Sequence, residues 1–378
     1  HCFVHQSTIL SLPHTMSTTP TPKPVVLDSE FYDNVIPPEL LATAFDDLQA
    51  AELEWSEMYH KGGAVPRLVC IQGEVDAQGV QPIYRHPADE QPPLYPFTPT
   101  VLKLRDVVSN TIGQPLNHAL IQLYRNGDDF ISEHADKTID VARGSAIVNL
   151  SLGASRTMVL RPKKGKSKSK VKEGQEQKPG QTTTELTLLV DAKSKQQEPP
   201  TNDNVDNKKK RRNNNTTTTP TNPGRPSERI ELTHGSLFVL GWNTNRLMTH
   251  EVRRDKRPDS QKTDAELAFG GCRISLTFRN VATFMKPNTT NTNNNNGELF
   301  GQGAAKKMMT DAKEEATTAT LSSPQEEDEE QTRMLAKEEE RLIQAFSTEN
   351  RSPDFDWDEI YGGGFSVVNF RTINNKRQ

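Results

Sequence analysis

The spacing of apolar residues divides the chain into an early helical part and a later part of short strands. Apolar residues recur at helical spacing over Leu40–Leu48, after Pro37-Pro38, and over Val101–Ile112, between Thr98-Pro99 and Gly113. Later apolar runs are rich in β-branched residues and are separated by Gly, Asn and Asp turns, which is typical of strands. These runs are ALIQLY (119–124), AIVNLSL (146–152), TMVLR (157–161), SLFVL (236–240) and RISLTFR (273–279). The order predicts a mainly β fold with supporting helices (α+β), a sandwich or barrel of the jelly-roll type.

Two blocks of opposite charge interrupt this pattern. Residues 163–226 contain 15 basic and 7 acidic residues, a net charge of +8, and residues 287–378 contain 10 and 17, a net charge of −7. Both blocks are poor in large apolar residues and rich in Asn, Thr, Gln and Pro. They cannot bury enough surface to offset the entropy of ordering, so we predict that both are largely disordered.

The blocks define the expected domain organisation. We predict one domain over residues 25–286, interrupted by the basic insertion at 163–226. A disordered lead, 1–24, precedes it. An Asn/Thr-rich linker and an acidic tail, 287–378, follow it, with a candidate helix near 331–347.

The chain has the composition of an intracellular protein. Its three cysteines lie far apart without metal-type spacing, which suits a reducing compartment. No apolar run approaches the roughly 18 to 20 residues of a membrane span, and a secretory signal is not evident. We expect a soluble protein that begins at Met16 and does not associate with membranes.

The basic insertion carries two Lys/Arg runs, KKGKSKSKVK (163–172) and KKKRR (208–212). Such runs are typical of nuclear-localisation signals and nucleic-acid tethers. The alternative, a solvated loop without a specific partner, is equally compatible with the composition. We predict location in the nucleus, with the cytoplasm as a second compartment.

Three residues have the chemistry of a metal centre. His134 and Asp136 are two apart on an extended segment, so their side chains point the same way and can share one metal ion. His250 follows the strand 236–240 and a turn. Two histidines and one carboxylate leave three positions open on iron, as in non-haem Fe(II) oxygenases. The alternative is that these are surface or structural side chains.

The run RISLTFR places four polar residues on one strand face. Strict alternation sends Arg273, Ser275, Thr277 and Arg279 to one side of the strand. Two arginines on such a face make a carboxylate clamp, because guanidinium binds carboxylate through two parallel hydrogen bonds. A strand with one solvated side is the alternative. The joint occurrence of the three features in this order favours an oxygenase site.

These residues resemble the AlkB family of Fe(II)- and 2-oxoglutarate-dependent dioxygenases. The resemblance runs from about Val26 to Phe284, apart from the insertion, and rests on LIQLYRNGDDFISEHAD, VNLSLGASRTMVLR, LTHGSLFVLG, His250 and RISLTFR. It implies a double-stranded β-helix (jelly roll), with 2-oxoglutarate and O2 as cosubstrates. It also implies that Fe(2+) is bound by His134, Asp136 and His250.

The resemblance further implies a 2-oxoglutarate site. Arg273 would hold the far carboxylate, and Tyr124 would hydrogen-bond to it. Arg279 would lie near the 1-carboxylate and Asp136. Gln122 stands where the family usually has Asn, and its longer amide side chain allows a similar contact.

The implied reaction is oxidative demethylation or dealkylation of alkylated bases in nucleic acid, in DNA repair or RNA demethylation. Candidates to stack on or steer a flipped base are Arg67, Tyr84, Arg85 and His86, all of which could equally serve loop packing. Arg253 and Arg254 would contact phosphates. Thr138 stands where many repair members of the family carry an acid, which leaves the alkyl-base specificity open.

Two other functions remain open. The residues outside the charged blocks sum to −5, which would suit a dioxygenase that hydroxylates a protein or a small molecule. A non-enzymatic scaffold with disordered arms is the third reading, and the intact triad and arginines argue against it. We expect a monomer whose acidic tail offers a site for a protein partner; alternatively, Trp357, Tyr361 and Phe365 pack on the catalytic domain.

Overall fold

The computed structural model describes most of the predicted domain and part of the tail. The described residues are 20–50, 52–60, 63–87, 92–164, 225–287, 297–306 and 324–368. Nearly all of the basic insertion, including both Lys/Arg runs beyond Lys164, lies outside them, as does the lead up to residue 19.

Short strands dominate the described residues, as the apolar runs predict. In chain order, β1 to β17 are Lys23–Pro24, Glu30–Tyr32, Tyr59–His60, Gly63–Ala64, Leu68–Gly73, Gln81–Pro82, Leu94–Pro96, His118–Tyr124, Ile131–His134, Ile147–Gly153, Arg156–Pro162, Glu228–Leu232, Leu237–Leu240, Met248–Val252, Arg273–Arg279, Thr283–Lys286 and Glu298–Gly301. Helices α1 to α6 are Pro38–Ala50, Pro99–Ile112, Trp242–Leu247, Asp264–Leu267, Pro324–Arg351 and Trp357–Tyr361. Short 3-10 turns occupy Asp259–Gln261 and Ala268–Gly271.

Two sheets enclose the centre of the domain. The larger has the strand order β1-β2-β13-β10-β15-β8-β5-β7, and the smaller has the order β12-β11-β14-β9. One buried apolar cluster contains residues of both sheets, among them Phe238 and Leu240 of β13, Leu160 of β11 and Met248 of β14. The sheets therefore pack face to face, and the predicted jelly-roll fold is confirmed.

Helices α1 and α2 cover the outer face of the larger sheet. Their buried residues, including Phe45, Leu48 and Leu104, share a second core cluster with β10 and β15. Helix α2 begins with Pro99 after Thr98 and ends at Gly113, whose φ of 64° is left-handed. Helix α2 therefore begins at the Thr98-Pro99 pair and ends at Gly113, as the sequence predicts.

Strand β15 lies inside the larger sheet and separates the two cores. It pairs with β10 on one side and with β8 on the other, both antiparallel. Ile274, Leu276 and Phe278 belong to the core beneath α1 and α2. The alternating polar residues of β15 therefore face the space between the sheets, where the candidate site lies.

The C-terminal stretch differs from the predicted disorder over residues 324–368. Helix α5 extends beyond the predicted 331–347, and with α6 it packs on the domain through Ile139, Leu342, Phe346 and Tyr361. Apolar residues at helical spacing, followed by a group of aromatic residues, supply this interface within an acidic stretch. The alternative in which Trp357, Tyr361 and Phe365 pack on the domain agrees with the structure.

Arg85 joins this C-terminal segment to the body of the domain. Its side chain is 1% exposed and forms a two-pronged ion pair with Asp140, with Nη2 to Oδ1 at 2.6 Å and Nε to Oδ2 at 3.0 Å. It also donates to the carbonyl oxygens of Gly303, Phe365 and Val367. The prediction that Arg85 steers a flipped base is therefore contradicted, because its guanidinium is buried and fully used in structural hydrogen bonds.

Among the described helices, none combines the length and the apolar character required to cross a bilayer.

Replacing Arg85 by alanine should lower the free energy of unfolding by about 3–5 kcal/mol, because Asp140 would remain buried without its partner. Chemical denaturation of the purified protein measures this change. The control is Lys23→Ala, which breaks the exposed pair with Asp33 and should cost less than about 1 kcal/mol. Equal effects of the two substitutions would contradict the structural role of Arg85.

Candidate active site

Three potential metal-binding side chains meet between the ends of β9 and β14. His250 of β14 lies directly opposite His134 of β9, and their ring centroids are 4.3 Å apart. Asp136 Oδ1 lies 3.5 Å from His134 Nε2 and 3.8 Å from His250 Nε2. One ligand atom from each residue lies within 4.8 Å of the others. The structure thus brings together the three residues selected in the sequence, and the donor set suits Fe(II).

Electrostatics keep two of these groups in the forms that bind metals. Burial alone would raise the pKa of Asp136, but the Arg279 guanidinium and the two histidines hold it well below its usual range. Arg279 Nη2 lies 2.7 Å from Asp136 Oδ2. Burial lowers the pKa of His250 to about 3, and the adjacent His134 contributes. The site therefore presents a carboxylate and a neutral imidazole, as metal coordination requires.

Hydrogen bonds outside the triad set its orientation. Asn245 of α3 accepts a hydrogen bond from Asp136 N at 3.0 Å and donates one to Asp136 O at 2.9 Å. His134 Nδ1 lies 2.7 Å from the carbonyl oxygen of Ser132, so this nitrogen is the donor and Nε2 is left free to bind a metal. Such contacts fix the direction of the ligand atoms.

The polar face of β15 forms a second part of the site. Arg273 is 1% exposed, and its Nη2 donates to Ser151 Oγ at 2.8 Å and to Asn149 Oδ1 at 3.0 Å. Asn149 Nδ2 in turn donates to Ser275 Oγ at 2.7 Å and to Thr277 Oγ1 at 3.1 Å. A fixed polar layer therefore runs along β10 and β15.

Both arginines of this layer retain unused hydrogen-bond donors. Nε and Nη1 of Arg273 and of Arg279 are buried and have no hydrogen-bond partner within the described part of the chain. Buried unpaired donors are costly, and carboxylate is their natural acceptor. Tyr124 lies beside Arg273, with its ring centroid 5.2 Å from the guanidinium carbon, and donates to Gln122 Oε1 at 3.3 Å. The cavity that these residues line also contains the triad.

The comparison with protein families decides what this arrangement is. A model of the 2OG-Fe(II) oxygenase superfamily matches residues 28–279, about two thirds of the chain. The chain belongs to the 2OG-Fe(II) oxygenase superfamily. The matched stretch includes the triad and both arginines of β15. Membership of this superfamily implies Fe(2+), 2-oxoglutarate and O2, and the described residues supply a His-Asp-His donor set for the metal ion.

Curated relatives support the AlkB-like resemblance. The chain is 42% identical over 74 residues to DNA oxidative demethylase ALKBH2 of Homo sapiens and 37% identical over 73 residues to that of Mus musculus. These matches cover 20% and 19% of this chain, but only 28% and 30% of the two relatives. The chain thus spans less than a third of the length of these two curated relatives. OsALKBH1 is similar in structure, with a TM-score of 0.36 and 12% identity, over 68% of this chain and 99% of that one.

The residues of this 2OG oxygenase fit both the metal ion and the cosubstrate. Two imidazoles and a carboxylate supply the donors for Fe(2+). The unused guanidinium donors of Arg273 and Arg279 lie in the same cavity and suit the dicarboxylate 2-oxoglutarate.

A larger cavity of 550 Å³ adjoins the triad. Most of its wall is apolar or aromatic, and it shares His134, Asp136 and Arg279 with the inner cavity. Among the residues predicted to contact substrate, Arg67, Tyr84 and His86 line it. Helix α5 supplies the rest of one wall through Ile343, Phe346, Ser347 and Asn350. A substrate in this cavity would lie directly against the metal-binding residues.

Two of these lining residues are also held by protein contacts. The Tyr84 hydroxyl accepts a hydrogen bond from Lys137 N at 3.1 Å, and the Arg279 guanidinium carbon lies 3.9 Å from the Tyr84 ring centroid. Arg67 Nη1 donates to the carbonyl oxygen of Phe130 at 3.0 Å. Both side chains are therefore fixed parts of the cavity wall.

Arg253 and Arg254 lie on the surface and do not line either cavity. Arg253 is 53% exposed and is paired with Glu251 at 2.5 Å. Arg254 is 42% exposed and its guanidinium carbon lies 4.9 Å from the ring centroid of Phe130, which lines the larger cavity. Arg254 thus contacts a residue of the cavity wall without lining the cavity itself.

Sequence reasoning missed several residues of the site. Asn149 and Ser151 alternate with apolar residues along β10, so the rule applied to β15 would have found them. Asn245 carried no such signal, because it contacts Asp136 only after the chain has folded across 109 positions. The acidic composition of α5 concealed its contribution to the wall of the larger cavity.

The pKa of His250 predicts a pH dependence of stability in metal-free protein. Burial lowers this pKa to about 3 in the folded state, whereas it is about 6.5 in an unfolded chain. Between these values the unfolded state binds one more proton at His250, so the free energy of unfolding falls by about 1.4 kcal/mol for each unit that the pH is lowered. Denaturant titrations at several pH values, with a chelator present, measure this dependence. The free energy of unfolding should change less steeply with pH in His250→Gln than in wild type. Equal pH dependence in the two proteins would mean that folding does not keep His250 neutral.

Proposed function

We propose that this 2OG oxygenase removes alkyl groups oxidatively from alkylated bases in nucleic acid. The supporting observation is the 550 Å³ cavity that adjoins the triad and whose wall is mostly apolar, with aromatic rings from Tyr84 and Phe130. A cavity of this kind suits one planar base taken out of its stack and not an intact duplex. The similarity to ALKBH2, a DNA oxidative demethylase by name, points in the same direction.

In this proposal His134, Asp136 and His250 bind Fe(2+). Arg273 binds the far carboxylate of 2-oxoglutarate, with Tyr124 and Gln122 beside it. Bound Fe(2+) with its cosubstrates supplies the oxidation of an N-linked alkyl carbon, which then leaves as an aldehyde. The protein orients the reacting groups and excludes water.

Arg279 has a double role in the same scheme. Its Nη2 pairs with Asp136 and keeps that carboxylate ionised, while its remaining donors face the inner cavity. Its guanidinium also lies against Tyr84, one wall of the larger cavity. Arg279 would therefore connect the cosubstrate site to the base site, and His86 with Arg67 would complete the wall around the base.

In this proposal the nucleic-acid backbone contacts the surface next to the cavity wall. Arg253 and Arg254 lie there with exposed guanidinium groups. Phosphate contacts of this kind add affinity without reading sequence. We also propose that residues 25–286 are the catalytic domain, that the basic insertion assists binding, and that the protein works in the nucleus as a monomer.

The proposal predicts substrate-dependent formation of succinate and aldehyde. Purified protein with Fe(II), 2-oxoglutarate and O2 is incubated with a panel of DNA and RNA oligonucleotides carrying methylated bases, and products are measured by mass spectrometry. We expect demethylation of at least one base by wild type and none by Asp136→Ala. Succinate formed with a protein or small-molecule substrate but with no member of the panel would favour the alternative dioxygenase. A fully active Asp136→Ala protein would contradict the metal assignment.

Replacing Arg273 by glutamine should raise the KM for 2-oxoglutarate roughly tenfold to a hundredfold. The reason is that hydrogen bonds to a charged group contribute about 1.5–3 kcal/mol, and about 1.4 kcal/mol corresponds to a factor of ten. The rate of succinate formation, measured over a range of 2-oxoglutarate concentrations, gives this KM. Arg229→Gln, at an exposed position of β12, is the matched control and should leave the KM unchanged. Similar KM values for both variants would contradict the role of Arg273.

A further inference from the structure

Helix α5 presents two different faces to the domain. Leu342 and Glu349 are buried against the body of the protein, and Phe346 is both buried and part of the cavity wall. Ile343, Ser347 and Asn350, spaced by four and three positions, line the larger cavity. Residues at this spacing share one face of a helix. The helix therefore both anchors itself and contributes a wall to the active site.

Asn350 contacts the chain between two of the metal-binding residues. Its Oδ1 accepts a hydrogen bond from the backbone nitrogen of Ala135 at 2.7 Å and another from Lys137 Nζ at 3.3 Å. Lys137 Nζ also donates to the carbonyl oxygen of Ala135 at 2.7 Å. Ala135 links His134 to Asp136, so Asn350 holds the peptide that sets the directions of both side chains.

The neighbouring Glu349 secures the helix at this position. Its carboxylate accepts hydrogen bonds from the backbone nitrogen and hydroxyl of Thr138 and from the hydroxyl of Tyr361, the last at 2.8 Å. Its backbone oxygen accepts a hydrogen bond from Lys163 Nζ at 2.7 Å. Two adjacent residues of α5 thus bind residues 135 and 138, on either side of Asp136.

We propose that Asn350 is a positioning residue of the active site. It supplies the hydrogen bond that keeps His134 and Asp136 oriented toward a common metal ion, from 215 positions away in the sequence. Among the hydrogen bonds of the described residues, those of the Asn245 side chain go to the backbone of Asp136 and not to that of Ala135. The two amides therefore act on successive peptides, and the loss of either one loosens a different part of the metal-binding segment.

The test measures metal affinity without substrate, using Co(II) as the probe and its visible absorption as the signal. Asn350→Leu keeps the volume of the side chain but removes the acceptor, and Asn350→Ala removes both. We expect Co(II) to bind these variants about 10–100-fold more weakly than wild type, because that is the usual effect of losing a partner of a metal ligand. Asn350→Asp retains the acceptor and should restore binding.

The matched control is Thr348→Ala in the same helix, whose hydroxyl bonds only the carbonyl oxygen of Gln344 among the described contacts. Its Co(II) affinity should equal that of wild type, and thermal unfolding checks that all variants are folded. Wild-type affinity in Asn350→Leu and Asn350→Ala would overturn the positioning role alone. Failure of wild type to bind Co(II) would overturn the metal assignment together with it.

Discussion

The alternation of side chains along β15 is the constraint on which the site depends. One face of this strand carries Ile274, Leu276 and Phe278 into the core beneath the helices, and the other carries two arginines into the space between the sheets. A shift of register by one residue would bury both arginines among apolar side chains and turn three core residues toward the polar space between the sheets. The hydrophobic core therefore determines where the guanidinium groups point. The geometry of the cosubstrate site follows from packing on the opposite face of the same strand.

The pair between Arg279 and Asp136 links the two halves of the site. It spans 143 positions of sequence and joins a strand of the larger sheet to the segment after β9. An isolated buried pair of this kind contributes little net stability, since both charges must leave water. Its value lies in orientation, because it sets one carboxylate oxygen of Asp136 and keeps that group ionised beside the two histidines. Desolvation of the two charges is unfavourable, but the ion pair fixes the direction of the Asp136 carboxylate.

Sequence periodicity predicted the features that depend on neighbours along the chain. The two long outer helices, the strand runs and the spacing of His134 and Asp136 all follow from local pattern. Features that depend on distant contacts were not accessible in this way. Arg85 looked like a candidate substrate contact because it lies beside Tyr84, yet its partners Asp140 and Phe365 are 55 and 280 positions away. The packing of α5 was obscured for a related reason, since its few apolar residues are diluted by acidic ones.

The contacts of α5 have a consequence for the order in which the active site is assembled. The segment from Ala135 to Thr138 is synthesised long before Glu349 and Asn350, which complete its hydrogen bonds. Contacts of such long sequence separation form late, because the chain between them must first be brought together. A growing chain that has emerged from the ribosome only as far as β15 would contain every metal-binding side chain and both arginines. It would still lack one wall of the cavity. Maturation of the oxygenase is thereby tied to synthesis of a segment that follows the last strand of its sheets.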